Sequence, residues 1–313
     1  MNSTREKFLE TFYSIDFNQI KDHPNILIAA RFWDHDRYCA AKILYKVMRK
    51  IDDLIDDYKA ANKLIASSER KEFVSQVNDW LKMIIVSDNC NPLQKELQET
   101  IERFRIPVRI LEDFARSMIY DINNDGFPTL NDFLEYSRGA SVAPASIFVH
   151  LNCLTENGGG YITPAIDVIE VAKPCAIFSY LVHIIRDFQK DQFNNLNYFA
   201  DDLIAKHRLT RHDLKEIAWG HPVNENFRHL IREYYNLADT YRAETRKTIN
   251  SINPLLEPEY QLSLKIIFDL YMMVFERIDP EKGSFTTEAL NPRPEEIKKR
   301  VYETILKFTD SKA

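Results

Sequence analysis

The chain has 313 residues, 45 % apolar and 28 % charged, a mix that excludes a disordered chain and is enough for a large core. A formal net charge of −6 argues against a nucleic-acid surface. Glycine is scarce, with 7 in all, and long stretches rich in Leu, Ile, Glu, Lys and Ala point to an all-α protein of one domain spanning residues 1–313. Cys39, Cys90, Cys153 and Cys175 show no CxxC spacing and are expected to be reduced thiols of a cytoplasmic protein. No apolar run suggests a membrane span, and no signal-peptide core follows Met1–Lys7. Loose membrane contact is compatible with this composition, although no strongly basic amphipathic helix supports it.

In chain order, residues 4–13 form a short helix that Asp22-His23-Pro24 ends. A helical segment from about Asn25 to Phe32 precedes a long one from about Tyr38 to Asp57. Ser67-Ser68-Glu69 resembles a helix start, followed by Phe73, Val77, Trp80 and Ile84 at helical spacing. Helices then run from Asn91-Pro92 to about Phe104 and from Pro107 to about Ile122. The loop Asn123–Pro128 leads to Thr129 as an N-cap. The next helix carries Gly139, Ala140, Ser141, Ala143 and Ala145, small enough for a neighbouring helix or a ligand chain to approach closely. Gly158-Gly159-Gly160 is a connector, since no strand–turn–helix pattern follows it. A mostly apolar helix runs from Pro164 to about Phe193, with a kink or break expected at Pro174. Helices near 210–219, 225–252, 258–279 and 294–308 complete the chain.

Two acidic motifs stand out. In Asp52-Asp53-Leu54-Ile55-Asp56-Asp57, Asp52 and Asp56 share one helical face, as do Asp53 and Asp57. Like charges at that spacing weaken a helix by a few tenths of a kcal/mol, and at a helix C-terminus they also oppose the macrodipole. A solvated helix end is the bland explanation. An oxygen-only half-site for Mg²⁺, completed by a diphosphate, is the functional one. The second motif places His183, Asp187 and Asp191 one turn apart on a largely apolar helix, where unneutralised carboxylates are costly. Two such helices facing each other across a bundle would hold metal ions between them.

With both motifs in view, the chain resembles the squalene/phytoene synthase family, the head-to-head prenyl transferases, from about residue 20 to 300. The residues that carry the resemblance are Tyr45 and Arg49 ahead of Asp52-Asp53-x-x-Asp56, and Ile184-Ile185-Arg186-Asp187-x-x-x-Asp191-Gln192 with Tyr198 after it. Tyr271 matches a tyrosine found in a late helix of the family. The resemblance implies a prenyl-synthase-type helical bundle with a central cavity. It also implies Mg²⁺ between the Asp52, Asp53, Asp56, Asp57, Asp187 and Asp191 carboxylates and the diphosphates of two farnesyl or geranylgeranyl diphosphates. Tyr45, Arg49, Arg186 and Tyr271 are the candidate catalytic groups, with Lys190, Tyr198 and His183 as further substrate contacts. Mg²⁺ prefers oxygen, so His183 is expected to donate a hydrogen bond to a diphosphate or a metal-bound water.

The chain departs from the family pattern at several positions. His183 stands for Asn, Lys190 for Glu and Tyr180 for Gln, while Val142–Ala145 replaces a Gly-rich run and Leu196 a basic residue. The first motif is intact, so diphosphate ionisation is better supported than the later cyclopropyl rearrangement. The alternatives are an enzyme that ionises and then cyclises or quenches one prenyl diphosphate, and a non-catalytic binder. A di-iron bundle would need Glu-x-x-His, which the chain lacks.

Overall fold

The computed structural model describes residues 3–19, 25–62, 64–85 and 92–309. Asp22-His23-Pro24, Cys90 and Asn91 lie outside the described residues. The first half contains α1 (Ser3–Tyr13), α2 (Asn25–Ala30), α3 (His35–Asn62), α4 (Arg70–Ile85), α5 (Pro92–Arg103) and α6 (Val108–Asn123). Next come α7 (Leu130–Ser137), a π-helical turn (Arg138–Val142) and α8 (Ala143–Cys153). A small antiparallel hairpin, β1 (Thr155–Asn157) and β2 (Gly160–Ile162), leads to α9 (Val168–Arg186) and α10 (Phe188–Phe193). The rest is α11 (Asp201–Lys206), α12 (Arg211–Ala218), α13 (Glu225–Ile252), α14 (Pro258–Phe275), α15 (Thr287–Leu290) and α16 (Pro294–Lys307).

Local chemistry explains the helix starts. Thr129 and Asp132 form a reciprocal capping box on α7, and Thr210 and Asp213 do the same on α12. Asp167 caps α9 and Asn224 caps α13, while Pro258 and Pro294 open α14 and α16, where a missing N–H costs nothing. The glycine run is the turn of the hairpin. Gly158 and Gly159 both have positive φ (58° and 92°), as a two-residue hairpin loop requires.

The helix α9 lies at the centre, packed against α13, α8 and α14. It is long and apolar enough to cross a membrane by length and composition, against the expectation from sequence. Eleven of its residues are buried against the rest of the bundle. It runs through Pro174 unbroken, and the break falls instead at Asp187 (φ −89°, ψ 0°). The hydrogen-bond ladder bridges that break. Asp187 N–H donates to the His183 carbonyl and Asp191 N–H to the Asp187 carbonyl, both at 2.8 Å, so the one-turn spacing survives.

The small residues after α7 divide between two neighbours. A Cβ on Gly139 would collide with the Asp113 carbonyl oxygen and Ser117 Oγ, so Gly139 serves the approach of α6. Ala140, Ser141, Pro144 and Ala145 line the central cavity instead. Ser141 Oγ donates to the Ala176 carbonyl at 2.9 Å, which ties the π turn to α9. Such turns re-aim side chains and recur at functional sites.

Candidate active site

A cavity of about 1000 Å³ occupies the bundle centre. The candidate catalytic, substrate and metal residues all line it: Tyr45, Arg49, Asp52, Asp53, Asp56 and Asp57 from α3, and His183, Arg186, Asp187, Lys190, Asp191, Tyr198 and Tyr271 from the later elements. One end is polar. Phe148 and Val149 of α8, Ile252 of α13, and Leu264 and Ile267 of α14 make the other end apolar.

The first acidic motif does not end its helix, because α3 continues to Asn62. The carboxylates therefore escape the unfavourable helix terminus and gain a local cation. Arg49 Nη1 donates to Asp52 at 2.6 Å, and its Nη2 reaches Asp53. The Asp57 side chain is exposed at the rim. Burial pushes Asp52 up to about 6, with Arg49 pulling it down and Asp121 and Asp53 adding to the rise. Burial holds Asp56 well above the usual carboxylate range, and Asp52 and Asp121 reinforce it against Lys59 and Arg49.

In the second motif, Arg186 grips Asp187 with both prongs, Nε at 2.8 Å and Nη2 at 2.6 Å. Burial opposes ionisation of Asp187, but the hydrogen bonds and charge of Arg186, with His183 and Lys190 behind them, hold it below its ordinary value. Asp191 goes the other way. Burial, then Asp187, then Asp56 push it well up, against Lys190 and Arg186. Asp56 and Asp191 line the same cavity, near enough for the charge of Asp56 to add to the rise at Asp191. Asn195 Nδ2 donates to the Ala60 carbonyl at 3.4 Å, joining the segment after α10 to the end of α3. Lys190 is exposed at the rim.

Among the described residues no three carboxylate, imidazole or thiol groups converge closely enough to hold an ion by themselves. The donor set nevertheless fits a hard divalent cation. It is oxygen-based, and Asp52, Asp56 and Asp191 are crowded carboxylates that an added positive charge would relieve.

The cavity walls are aromatic. His183 meets Tyr271 edge-on, with ring centroids 5.3 Å apart. Burial raises the Tyr271 pKa above that of an ordinary phenol. Cys175, also in the wall, is pushed up to about 12 by burial and is therefore a neutral thiol.

Sequence reasoning missed a second layer behind Asp52 and Asp56. Lys59, 5 % exposed, lies 3.4 Å from Asp121 Oδ1, and Tyr136 donates to Asp121 Oδ2. Lys59 and Asp121 are far apart in the chain, so no spacing rule joins them. Lys46 and Lys50, also unmarked by the sequence, add cationic side chains at the rim.

A family model for squalene/phytoene synthases matches residues 21–295. Among solved structures, a dehydrosqualene synthase in complex with ligand superposes with a TM-score of 0.67 at 16 % identity, covering 98 % of this chain and 99 % of that one. Squalene synthase HpnC from Alicyclobacillus acidocaldarius gives 0.64 at 14 % identity over 88 % of this chain and 93 % of that one. YisP from Bacillus subtilis subsp. subtilis strain 168 gives 0.62 at 14 % identity, with 96 % and 99 % covered. At these identities the likeness carries the fold. A comparison with curated protein sequences finds no match.

Proposed function

The chain belongs to the squalene/phytoene synthase family of prenyl transferases, and from that premise we propose a Mg²⁺-dependent enzyme that joins two prenyl diphosphates head to head, farnesyl or geranylgeranyl, with loss of diphosphate. The observation that carries this proposal is that Asp56 and Asp191 line one cavity whose far end is apolar. Asp52, Asp56, Asp187 and Asp191, with Asp53 and Asp57 at the rim, would hold Mg²⁺. When bound, the ion supplies positive charge against the leaving diphosphate.

The protein's own groups do the rest. Arg49 and Arg186 are fixed by their carboxylate partners with guanidinium groups at the polar end, where they bind and orient the diphosphates. Lys190 adds a mobile cation at the rim. The apolar end takes the prenyl chains and excludes water from the allylic cation left behind. The ring faces of Tyr45, Tyr198 and Tyr271 stabilise that cation.

A second route, ionisation and quenching of one prenyl diphosphate, is favoured by the altered second motif, in which His183 and Lys190 stand where the family has Asn and Glu. We further propose a cytoplasmic location, motivated by four cysteines without CxxC spacing, and loose membrane association through the apolar product. Incubation with labelled farnesyl or geranylgeranyl diphosphate and Mg²⁺ tests the proposal. A product of doubled carbon count supports condensation. A product of unchanged carbon count supports the second route. Binding without turnover contradicts both.

A further inference from the structure

Several large apolar side chains reach the surface on separate elements, Tyr13 on α1, Ile85 on α4 and Leu306 on α16 among them. Phe193 and Trp219 form a pair instead. They stand at the ends of α10 and α12, are 50 % and 72 % exposed, and meet edge-on with ring centroids 5.8 Å apart. Gln189, one turn before Phe193, fixes the pair. Its Nε2 donates to the carbonyl of Ala218, the neighbour of Trp219, at 3.1 Å, and its Oε1 accepts the Thr287 N–H at 3.0 Å. Two helix ends are thereby locked together with an aromatic knob on the outside.

The charges around the knob lean positive. Lys190, exposed, precedes Phe193 by one turn, and Lys215 precedes Trp219 by one turn, its Nζ donating to Asn195 Oδ1 at 3.3 Å. Among the described residues neither ammonium is within ion-pair distance of a carboxylate. Arg211 of α12 is held by Asp201 and Asp125. Of the acids on α10, α12 and α15, Asp191 faces the cavity, Asp213 is spent in a capping box, and Glu216 lies 3.0 Å from His221. Glu288 of α15 alone remains to set against the two lysines.

We propose that the Phe193–Trp219 knob docks the protein on an anionic phospholipid surface, the rings entering the headgroup layer and the flanking lysines facing lipid phosphates. This gives the membrane association proposed above a definite place on the molecule. Tryptophan, an apolar ring with one polar N–H, suits the boundary between headgroups and acyl chains. Lysines beside an apolar anchor add attraction to anionic lipid. The formal net charge of −6 opposes that attraction only weakly, since charges more than about 10 Å away are largely screened at physiological salt. A second copy of the chain fits less well. Two rings of about 150–250 Å² each, both partly covered, fall well short of the roughly 800 Å² that each partner gives a stable dimer. The position also suits the apolar product. Asp191, Asn194 and Leu196 line the cavity on either side of Phe193 in the chain, so a hydrocarbon leaving past them meets lipid before bulk water.

The test uses vesicles and no substrate, so its outcome is separate from that of the transferase proposal. Of the three tryptophans, Trp33 and Trp80 are each 6 % exposed, so a change in emission on adding vesicles reports Trp219. The parent, Phe193→Ser, Trp219→Ser and Lys215→Ala are sedimented with phosphatidylcholine vesicles, alone or with about one-third phosphatidylglycerol. Circular dichroism checks that each variant is folded. We expect the parent to sediment with vesicles, more so with the anionic ones, while its emission moves to shorter wavelength. Each serine variant should lower partitioning by about tenfold or more. Lys215→Ala should lower it by about fivefold, on anionic vesicles only. A parent that stays in solution with both kinds of vesicle overturns the proposal. So does sedimentation without an emission shift, or sedimentation that survives both serine substitutions. An emission shift that follows protein concentration without vesicles, together with a dimer's mass, assigns the knob to a second copy and overturns the proposal as well.

Discussion

The two acidic motifs share the spacing Asp-x-x-x-Asp and end in different electrostatic states. On α3, Asp52 and Asp56 are both pushed up, because burial, each other and Asp121 behind them outweigh Arg49 and Lys59. At the α9–α10 break, Asp187 is pulled down by a two-pronged Arg186 while Asp191 one turn later is pushed up. Equal spacing therefore does not mean equal roles. Asp187 holds both prongs of Arg186, whereas Asp52 receives one prong of an Arg49 that it shares with Asp53, and burial outweighs the nearby cations at Asp52, Asp56 and Asp191. The difference comes from one side chain's reach and from what is packed behind the helix.

The largest expected effect falls on the unsatisfied side. Asp56→Asn or Asp52→Asn should lower turnover by about 10²–10³-fold with the fold intact, the usual cost of removing a charge-stabilising group at an ionising centre. Near-parent rates in both variants would break the comparison at its first step. Next in size is a stability contrast in the metal-free protein. Asp187→Asn leaves Arg186, only 8 % exposed, without its anion and should cost about 3 kcal/mol. Asp191→Asn relieves crowding and should leave stability unchanged or higher. Denaturant titrations compare the two, and equal losses would show that the motifs are alike after all.

A smaller, graded effect follows from pH. Asp52 is raised in the folded state from 3.8 to about 6, so between those values the folded protein binds more protons than the unfolded chain. Metal-free stability should accordingly fall as pH rises through that window, and Asp52→Asn should flatten the slope. Asp187 carries the opposite sign. Its depressed value contributes stability that is present above the ordinary carboxylate range and lost only as pH falls below it. Thermal melts across acidic pH resolve the two limbs. The smallest effect is at the rim, where Lys190→Ala should weaken binding of a prenyl diphosphate analogue by about tenfold or less, as suits an exposed charge. Lys190→Glu should make that binding depend more steeply on Mg²⁺. If both variants bind like the parent at every Mg²⁺ concentration, Lys190 has no part in the site.

Much of this site was legible in the chain because helices convert spacing into faces. Asp52 with Asp56, Asp187 with Asp191, and the arginines beside them needed no knowledge of the tertiary fold. Legibility failed where geometry depends on distant partners. A kink or a break was expected at Pro174, yet the helix continues through it without a break and opens at Asp187, where Arg186 folds back on the carboxylate. The π turn after Ser137 follows from close packing of Gly139 on α6 and has no signature of its own. Asp121 and Lys59 look like ordinary surface charges in sequence, and their burial together is a property of how α3 and α6 pack.

The central claim is that the two acidic motifs form a divalent site completed by a diphosphate. Its most direct test is calorimetric titration of Mg²⁺ into the protein with and without a non-hydrolysable prenyl diphosphate analogue, for the parent and for Asp56→Asn. The account predicts weak binding of Mg²⁺ alone, much tighter binding with the analogue present, and loss of that enhancement in Asp56→Asn. Mg²⁺ binding that ignores the analogue, or an enhancement that survives Asp56→Asn, would contradict it.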